Sequence, residues 1–379
     1  VSVVVTGTLA ALGFKSSGTV NKGQQRLQWL TGLSGGRVNP GHWLGAVNEF
    51  KLDLQPDTSA GAGIGTWTIL ADNTNAKPIS LDWLQSSAGE SFSIGSGSAR
   101  LRSPLPNDPQ AATLNWQTAR WTAPTKGKLG TNPPAHWQSK GKLTALPLAW
   151  VDLLGFKSLS ELGIQSNMLM SGDWDTSQTD NLKFHASLER SSGDLTIRTS
   201  DDRQQSQTAG VSQAQLQLQL AGDEVSASLR WNSTHAGQAT VQLGTRLINQ
   251  PSGPMWPDNA PVNGNIQVQM PPIEAWSVLA PPGWRLRGTL DAAATLSGTL
   301  AEPQWRGTLQ AKDLAVRSVA DGIDFQQGSL MAHLDGQKLL IDAFTLRGAG
   351  KDGGQITLSG TAEWLATDKP QASALVHVD

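Results

Sequence analysis

The chain has no cysteine and no tyrosine among its 379 residues, and it carries few charges. Without thiols it can form neither disulfides nor zinc–thiolate or iron–sulfur sites, and it has no thiol nucleophile. Asp, Glu, Lys and Arg together make up 16% of the chain and leave a formal net charge of -2. The net charge therefore gives no overall positive field of the kind that draws a protein to nucleic acids or anionic membranes.

Long apolar runs are also missing, since none approaches the ~18 residues of a membrane span. Nothing near Val1 resembles a basic-then-apolar signal peptide. Because the first residue is not Met, we expect a fragment of a longer protein whose other parts could include an anchor. A prior of about 150 residues per domain allows two or three domains or one elongated repeat array.

Alternating apolar and polar residues are the main signal in what is present, and they predict half-buried β-strands. The clearest case is 214–220 (AQLQLQL), with leucines on one face and glutamines on the other. Turn-forming residues recur every ~8–12 positions, which favours an all-β antiparallel meander. We expect one apolar face, with these candidate lining residues: Phe184, Ala186, Leu188, Leu216, Leu218, Leu220, Val225, Ala227, Leu229, Val241, Leu243, Ile266, Val268, Met270, Leu286, Leu290, Ala292, Leu296, Leu309, Ala311, Leu330, Leu334, Ile356 and Leu358.

A few short helices are predicted to interrupt the strands, at 26–33, 79–85, 146–154 and 273–279. The last two are centred on Trp150 and Trp276, and prolines at their ends keep them from merging with the neighbouring strands. Residues 141–154 can be aligned with 264–279, which suggests a repeat of roughly 125 residues. The chain is therefore predicted to be one continuous array over 1–379, with approximate internal units 1–78, 79–140, 141–263 and 264–379.

Two motifs resemble a catalytic serine motif and a calcium-binding loop, but their neighbouring residues do not fit either function. Gly32 to Gly36 matches G-x-S-x-G, but the predicted helix precedes Ser34 instead of following it, so we interpret the motif as a helix-ending turn. Asp173 begins a stretch like a calcium loop, but that loop lacks its central glycine and its final glutamate, which favours a solvated turn. We expect no enzyme activity, no metal and no cofactor.

The apolar face allows two architectures. Two sheets could bury their inner faces against each other in a sandwich about 10 Å thick. Alternatively, one sheet could curl into an open trough whose apolar lining needs a ligand. Alternation alone leaves both open.

Several segments resemble the TamB family, an AsmA-like family of Gram-negative envelope proteins. The resemblance is carried by 276–290 (WSVLAPPGWRLRGTL), 296–300 (LSGTL), 303–309 (PQWRGTL) and 314–324 (LAVRSVADGID), and 188–195 (LERSSGDL) and 229–231 (LRW) fit as well. It covers about 141–379, and only compatible β-patterning precedes it.

The resemblance implies a periplasmic β-taco, an open β-groove, that moves phospholipid between the inner and outer membranes. Trp150 and Trp276 would then lie on helices across or beside the groove. It also implies an inner-membrane anchor missing from this chain, and contact with the outer-membrane barrel TamA through a region outside it. The alternative function is a scaffold for outer-membrane protein or autotransporter assembly that works through its strand edges.

Overall fold

The computed structural model describes most of the chain. The described residues are 1–23, 25–55, 65–71, 78–105, 110–124, 135–154, 159, 163–179, 181–198, 206–250, 253–271, 273–280, 283–350, 353–363 and 371–378. They form an almost entirely antiparallel β-structure, as the alternation predicts. The chain divides into two compact units: unit 1 is Val1–Ser158 with Met168–Ser192, and unit 2 is Leu159–Asn167 with Gly193–Asp379. The internal units predicted from the repeat stay a prediction.

Unit 1 is built from thirteen described strands. They are β1 (Ser2–Thr8), β2 (Ala11–Lys22), β3 (Gln25–Asn39), β4 (His42–Gln55), β5 (Trp67–Ala71), β6 (Ile79–Ser86), β7 (Gly89–Ile94), β8 (Gly97–Arg102), β9 (Ala111–Trp116), β10 (Ala119–Pro124), β11 (His136–Pro147), β13 (Leu169–Gln178) and β14 (Leu182–Ser192).

The sheet of unit 1 divides after β4 and rejoins at β11. One end of β4, Lys51 to Leu54, pairs with β5, and the other end, His42 to Val47, pairs with β6. From there, one row runs β5–β8–β9 and the other β6–β7–β10. Both rows end on β11. We call these six short strands, β5 to β10, the fork.

Unit 2 follows a simpler order. Its strands are β12 (Ile164–Ser166), β15 (Leu195–Arg198), β16 (Ser206–Thr208), β17 (Val211–Ala221), β18 (Glu224–Ser233), β19 (Gly237–Arg246), β20 (Ile248–Gln250), β21 (Gly253–Met255), β22 (Val262–Met270), β23 (Trp284–Gly298), β24 (Pro303–Ser318), β25 (Ile323–Gly336), β26 (Lys338–Gly348), β27 (Gln355–Glu363) and β28 (Gln371–Val378). From β17 to β28 each long strand pairs with the next, and β19 reaches β22 past the small β20–β21 hairpin. The long strands of unit 2 thus form a meander, as expected.

Two of the four predicted helices are present, both as short 3₁₀ helices at Leu148–Leu154 and Glu274–Leu279. The helices predicted at 26–33 and 79–85 are wrong, because these residues lie in β3 and β6. Leu27, Trp29 and Leu33 are two or four residues apart, and β3 has a partner strand on each side. Sheet pairing on both edges therefore overrides a mixed local pattern.

The two rejected motifs also lie in strands, so the turns predicted for them are wrong. Ser34 is within β3, and Asp173 is within β13. Within the described residues, no helix combines the length and apolarity that crossing a membrane demands. The same residues contain no cluster of three or more metal-ligating side chains.

Candidate functional site

The strand register of unit 2 aligns the predicted apolar residues in rows that cross the sheet. The rows are Leu216–Leu229–Val241–Ile266–Ala294–Gly307–Leu334, Leu218–Ala227–Leu243–Gly264–Leu296–Trp305, Ala214–Trp231–Ala239–Val268–Ala292–Leu309–Ala332, Met270–Leu290–Ala311–Leu330–Phe344–Leu358, and the shorter Leu220–Val225. We call the surface formed by these rows the apolar face.

The opposite surface, the polar face, is equally continuous. One of its rows runs Gln217–Ser228–Gln242–Asn265–Thr295–Arg306–Asp335. Thr308 lies opposite His333 on this side, one residue from Leu309. Away from the bulges, a single step along these strands therefore moves a side chain from the apolar face to the polar face.

Much of the apolar face is open to solvent. Leu216 is 46% exposed, Leu218 38%, Leu229 37% and Leu243 39%. Inward-facing leucines of a sandwich would be buried between its two sheets. These strands therefore do not form a sandwich core, and of the two expected architectures the open trough is the one that fits them.

The remaining predicted lining residues lie at the margins of these rows or in unit 1. Leu286 lies opposite Val316, and Ile356 lies opposite Leu346. In unit 1, three residues of β14 face β13: Phe184 opposes Thr176, Ala186 opposes Trp174, and Leu188 opposes Gly172.

A cavity of about 490 Å³ lies at the fork of unit 1. It is lined by strands of both rows, including Ile69, Ala99 and Leu114 from one row and Leu81 and Ile94 from the other. Apart from the indoles of Trp116 and Trp174, Ser139 supplies the only polar side chain among the lining residues. The division of the sheet thus contains a pocket of almost purely apolar character, within the size range of small-ligand sites.

A second cavity of about 420 Å³ in unit 1 is lined by the first 3₁₀ helix. Trp150 is only 4% exposed, and its ring meets that of Trp67 edge-on, with centroids 5.4 Å apart. Leu188, a predicted lining residue, is part of the same wall, and Ile69 lines both cavities. The helix around Trp150 therefore packs its indole into an apolar pocket.

The second 3₁₀ helix is fastened to β23 in unit 2. Ser277 Oγ accepts a hydrogen bond from Leu286 N at 2.8 Å, and Ile273 N donates to Gly288 O at 3.0 Å. Trp276 is partly buried, and its Nε1 has no hydrogen-bond partner among the described residues. This helix is thus held beside the sheet with its tryptophan turned out of bulk water.

One carboxylate of unit 1 has a perturbed pKa. Asp53 accepts a hydrogen bond from Thr68 Oγ1 at 2.7 Å, and its Oδ2 lies 2.6 Å from Lys51 Nζ. Burial raises the pKa of Asp53, but the hydrogen bonds from Lys51 and Thr68 and the charge of Lys51 outweigh this effect. The pKa therefore lies below its ordinary value of 3.8.

The sequence patterns predict neither cavity of unit 1. Of the residues predicted for the groove, only Leu188 and Trp150 line one of them. The alternation of Trp67, Ile69 and Ala71 and that of Ile79 and Leu81 are signals that such a face exists. The pairing of short strands into two rows leaves no such periodic signal.

Residues 142–311 match the family model of the TamB N-terminal domain. This match supports the identification of the chain as TamB-like. No curated protein and no solved structure matches the chain. TamB proteins are Gram-negative envelope proteins of the translocation and assembly module, in which TamA is the partner, and they form a transport and assembly family. The matched residues include β17 to β23 and hence much of the apolar face.

Proposed function

We propose that this chain is a segment of a periplasmic conduit that moves phospholipid between the inner and outer membranes along its apolar face. The observation that carries the proposal is the exposure of Leu216, Leu218, Leu229 and Leu243 in aligned rows. An apolar surface this continuous is a liability in water unless a ligand or partner covers it.

The energetics favour acyl chains as that ligand. Moving a chain of ~16 methylenes through water would cost about 13 kcal/mol at ~0.8 kcal/mol per CH₂. An apolar lining removes this cost without binding the lipid tightly, since it need only match the apolarity of the bilayer. Side chains such as Leu, Val and Ala supply no polar group that would hold one lipid in place. Sliding along the sheet is therefore compatible with the chemistry of the face.

The two cavities of unit 1 extend the proposal to residues that precede the family match, because the lining of each cavity combines such residues with residues of the matched range. Both have apolar walls, and Trp150 closes one side of the smaller cavity. We assign them the same role, as places where an acyl chain is removed from water. In this proposal, as in its alternative, the protein needs no catalytic residue.

The direct test is to identify what the folded chain carries. The chain is purified without detergent from a Gram-negative host, extracted with organic solvent, and the extract is analysed by mass spectrometry. Diacyl phospholipid at near-stoichiometric amounts is expected. A chain that is folded, monomeric and free of lipid, and that binds no apolar dye, would contradict the conduit and favour the scaffold, which uses strand edges.

A further inference from the structure

Three arginines lie together on the polar face of unit 2, where β23, β24 and β25 meet. Arg285 and Arg317 are directly opposite each other in the β23–β24 register, and Arg287 follows two residues along β23. Like charges that face each other across strands destabilise a sheet. An anion bound between the two guanidinium groups would turn this repulsion into attraction.

The backbone is irregular at the same place. The strand register shifts between Arg287 and Thr289 and again between Ala311 and Leu314. Asp313 has φ of 52° and Gln327 has φ of 51°, a conformation that costs energy in residues other than glycine. Bulges bend a strand and redirect its side chains, and they are over-represented next to functional sites.

These bulges accompany a depression of about 290 Å³ in the polar face. Its charged lining consists of Arg285, Arg287 and Arg317 together with Asp313 and Asp324. Arg317 Nε lies 3.9 Å from Asp324 Oδ2. Three positive and two negative side chains leave one net positive charge.

Another acid at this end of the sheet, Asp321, is engaged elsewhere. Its Oδ2 accepts hydrogen bonds from Trp284 Nε1 at 2.9 Å and from Ser318 Oγ at 2.7 Å, and it is not part of the lining. Its carboxylate is therefore held outside the depression, and the net charge above is that of the lining alone.

We propose that this depression binds the phosphate of a phosphodiester. The planar guanidinium group offers paired N–H donors that match phosphate oxygens. The single negative charge of a diester matches the net positive charge of the lining, whereas a more highly charged phosphate would meet both aspartates. The diester could belong to a glycerophospholipid headgroup or to a soluble molecule. Because the depression lies on the polar face, a lipid bound there is distinct from cargo on the apolar face.

The test uses the full chain and isothermal titration with dimethyl phosphate and with inorganic phosphate. Dimethyl phosphate should bind, and Arg287→Gln and Arg317→Gln should each weaken its binding about tenfold, the loss expected for one charge-assisted hydrogen bond. Asp324→Asn should shift the preference towards inorganic phosphate. Arg230→Gln is the matched control, because Arg230 is exposed on the polar face of the same unit, opposite Gln215 and Thr240. Circular dichroism confirms that each variant is folded.

Two outcomes would overturn the proposal: no binding of dimethyl phosphate at millimolar concentrations, or equal affinity in wild type, Arg287→Gln and Arg230→Gln. A second arm separates the sources of the diester. Co-sedimentation with phosphatidylethanolamine–phosphatidylglycerol vesicles that is lost in Arg287→Gln assigns the site to a headgroup. Dimethyl phosphate binding without co-sedimentation assigns it to a soluble diester. In folded Arg287→Gln, phospholipid crosslinked to the apolar face should equal that in wild type, so this site and the conduit can fail separately.

Discussion

The indole of Trp174 covers Gly141 on the neighbouring strand. The two residues are directly paired in the β11–β13 register, and a Cβ added to Gly141 would overlap the indole. Trp174 Nε1 also donates a hydrogen bond to Ser139 Oγ at 3.1 Å, two residues before the glycine. The ring therefore fills the space that the missing side chain leaves in the sheet.

The same arrangement occurs twice more in unit 1. Trp29 covers Gly18 and donates to Ser16 Oγ at 3.0 Å. Trp116 covers Gly97 and donates at 3.0 Å to the backbone oxygen two residues before that glycine. Three of the tryptophans of this chain thus cover a glycine on the adjacent strand and fill the space beside it.

Gly141→Ala should destabilise unit 1. The added methyl group overlaps the indole and a backbone oxygen of β9, and overpacking of this kind costs ~1–3 kcal/mol. The free energy of unfolding in urea measures the change. Lys140→Ala is the control, because its 3.0 Å ion pair with Asp175 is exposed and such pairs contribute little. Equal stability of the two variants would show that the indole moves aside without cost.

Leu309→Asp should reduce the phospholipid recovered from the folded chain, whereas Thr308→Asp should leave it almost unchanged. Leu309 lies in a row of the apolar face, and Thr308, one residue away, is exposed on the polar face. Lys or Arg facing lipid at the midplane of a membrane barrel costs ~2–4 kcal/mol, and the shorter Asp cannot reach water as lysine can. Leu290→Asp should behave like Leu309→Asp.

The pair also separates the conduit from the assembly scaffold. A scaffold that works through strand edges should retain client assembly in folded Leu309→Asp, whereas a conduit should lose lipid crosslinking and envelope integrity. If folded Leu309→Asp and Thr308→Asp behave alike in both assays, the apolar face does not carry lipid.

Ala119→Trp should lower the lipid content contributed by unit 1. Ala119 lines the 490 Å³ cavity at the fork, so an indole there would occupy space proposed for an acyl chain. Arg120→Trp places the same side chain one residue away, at an exposed position. Lipid mass spectrometry on the two folded variants is the measurement, and unchanged lipid in Ala119→Trp would remove the fork cavity from the pathway.

The stability of unit 1 should depend on Asp53 in acid. Because its folded pKa lies below the unfolded value of 3.8, the ionised carboxylate contributes stability at neutral pH, and this is lost as pH falls through the folded pKa. Urea unfolding between about pH 5 and about pH 3 should therefore show a weaker pH dependence in Asp53→Asn than in wild type. Thr68→Val, which removes one of the hydrogen bonds, should be intermediate. Parallel curves for all three proteins would contradict this assignment.

The strands of unit 2 could be predicted because each shows the alternation of apolar and polar residues within its own sequence. In β17, Leu216 and Leu218 alternate with glutamines, and β22 and β23 repeat the pattern, so parity alone places their side chains on a face. The helix prediction for 26–33 is wrong because Trp29 and Leu30 are adjacent and both apolar, a pattern that suits a short helix as well as a strand. Only pairing with both β2 and β4 decides between them.

The fork could not be predicted, because its strands are short and their partners are distant in sequence. β5 pairs with β8, and β9 pairs with β11, and nothing in either strand's own pattern specifies that partner. The cavity between the rows depends on this pairing. The arginine depression likewise depends on bulges at Asp313 and Gln327. Both residue types are ordinary in strands, so the sequence gives no sign of a bulge at either position.

The fork also sets the order in which the chain can acquire its structure. In unit 2 each new strand from β23 to β28 needs only the strand made just before it, so the sheet can grow as the chain emerges from a pore or ribosome. In unit 1, β5 has to wait for β8, and β7 has to wait for β10, before its second edge is paired. Contacts between residues further apart in sequence form more slowly. Within the fork, β5 and β7 therefore keep one edge unpaired while later strands are synthesised, and they need protection at that stage.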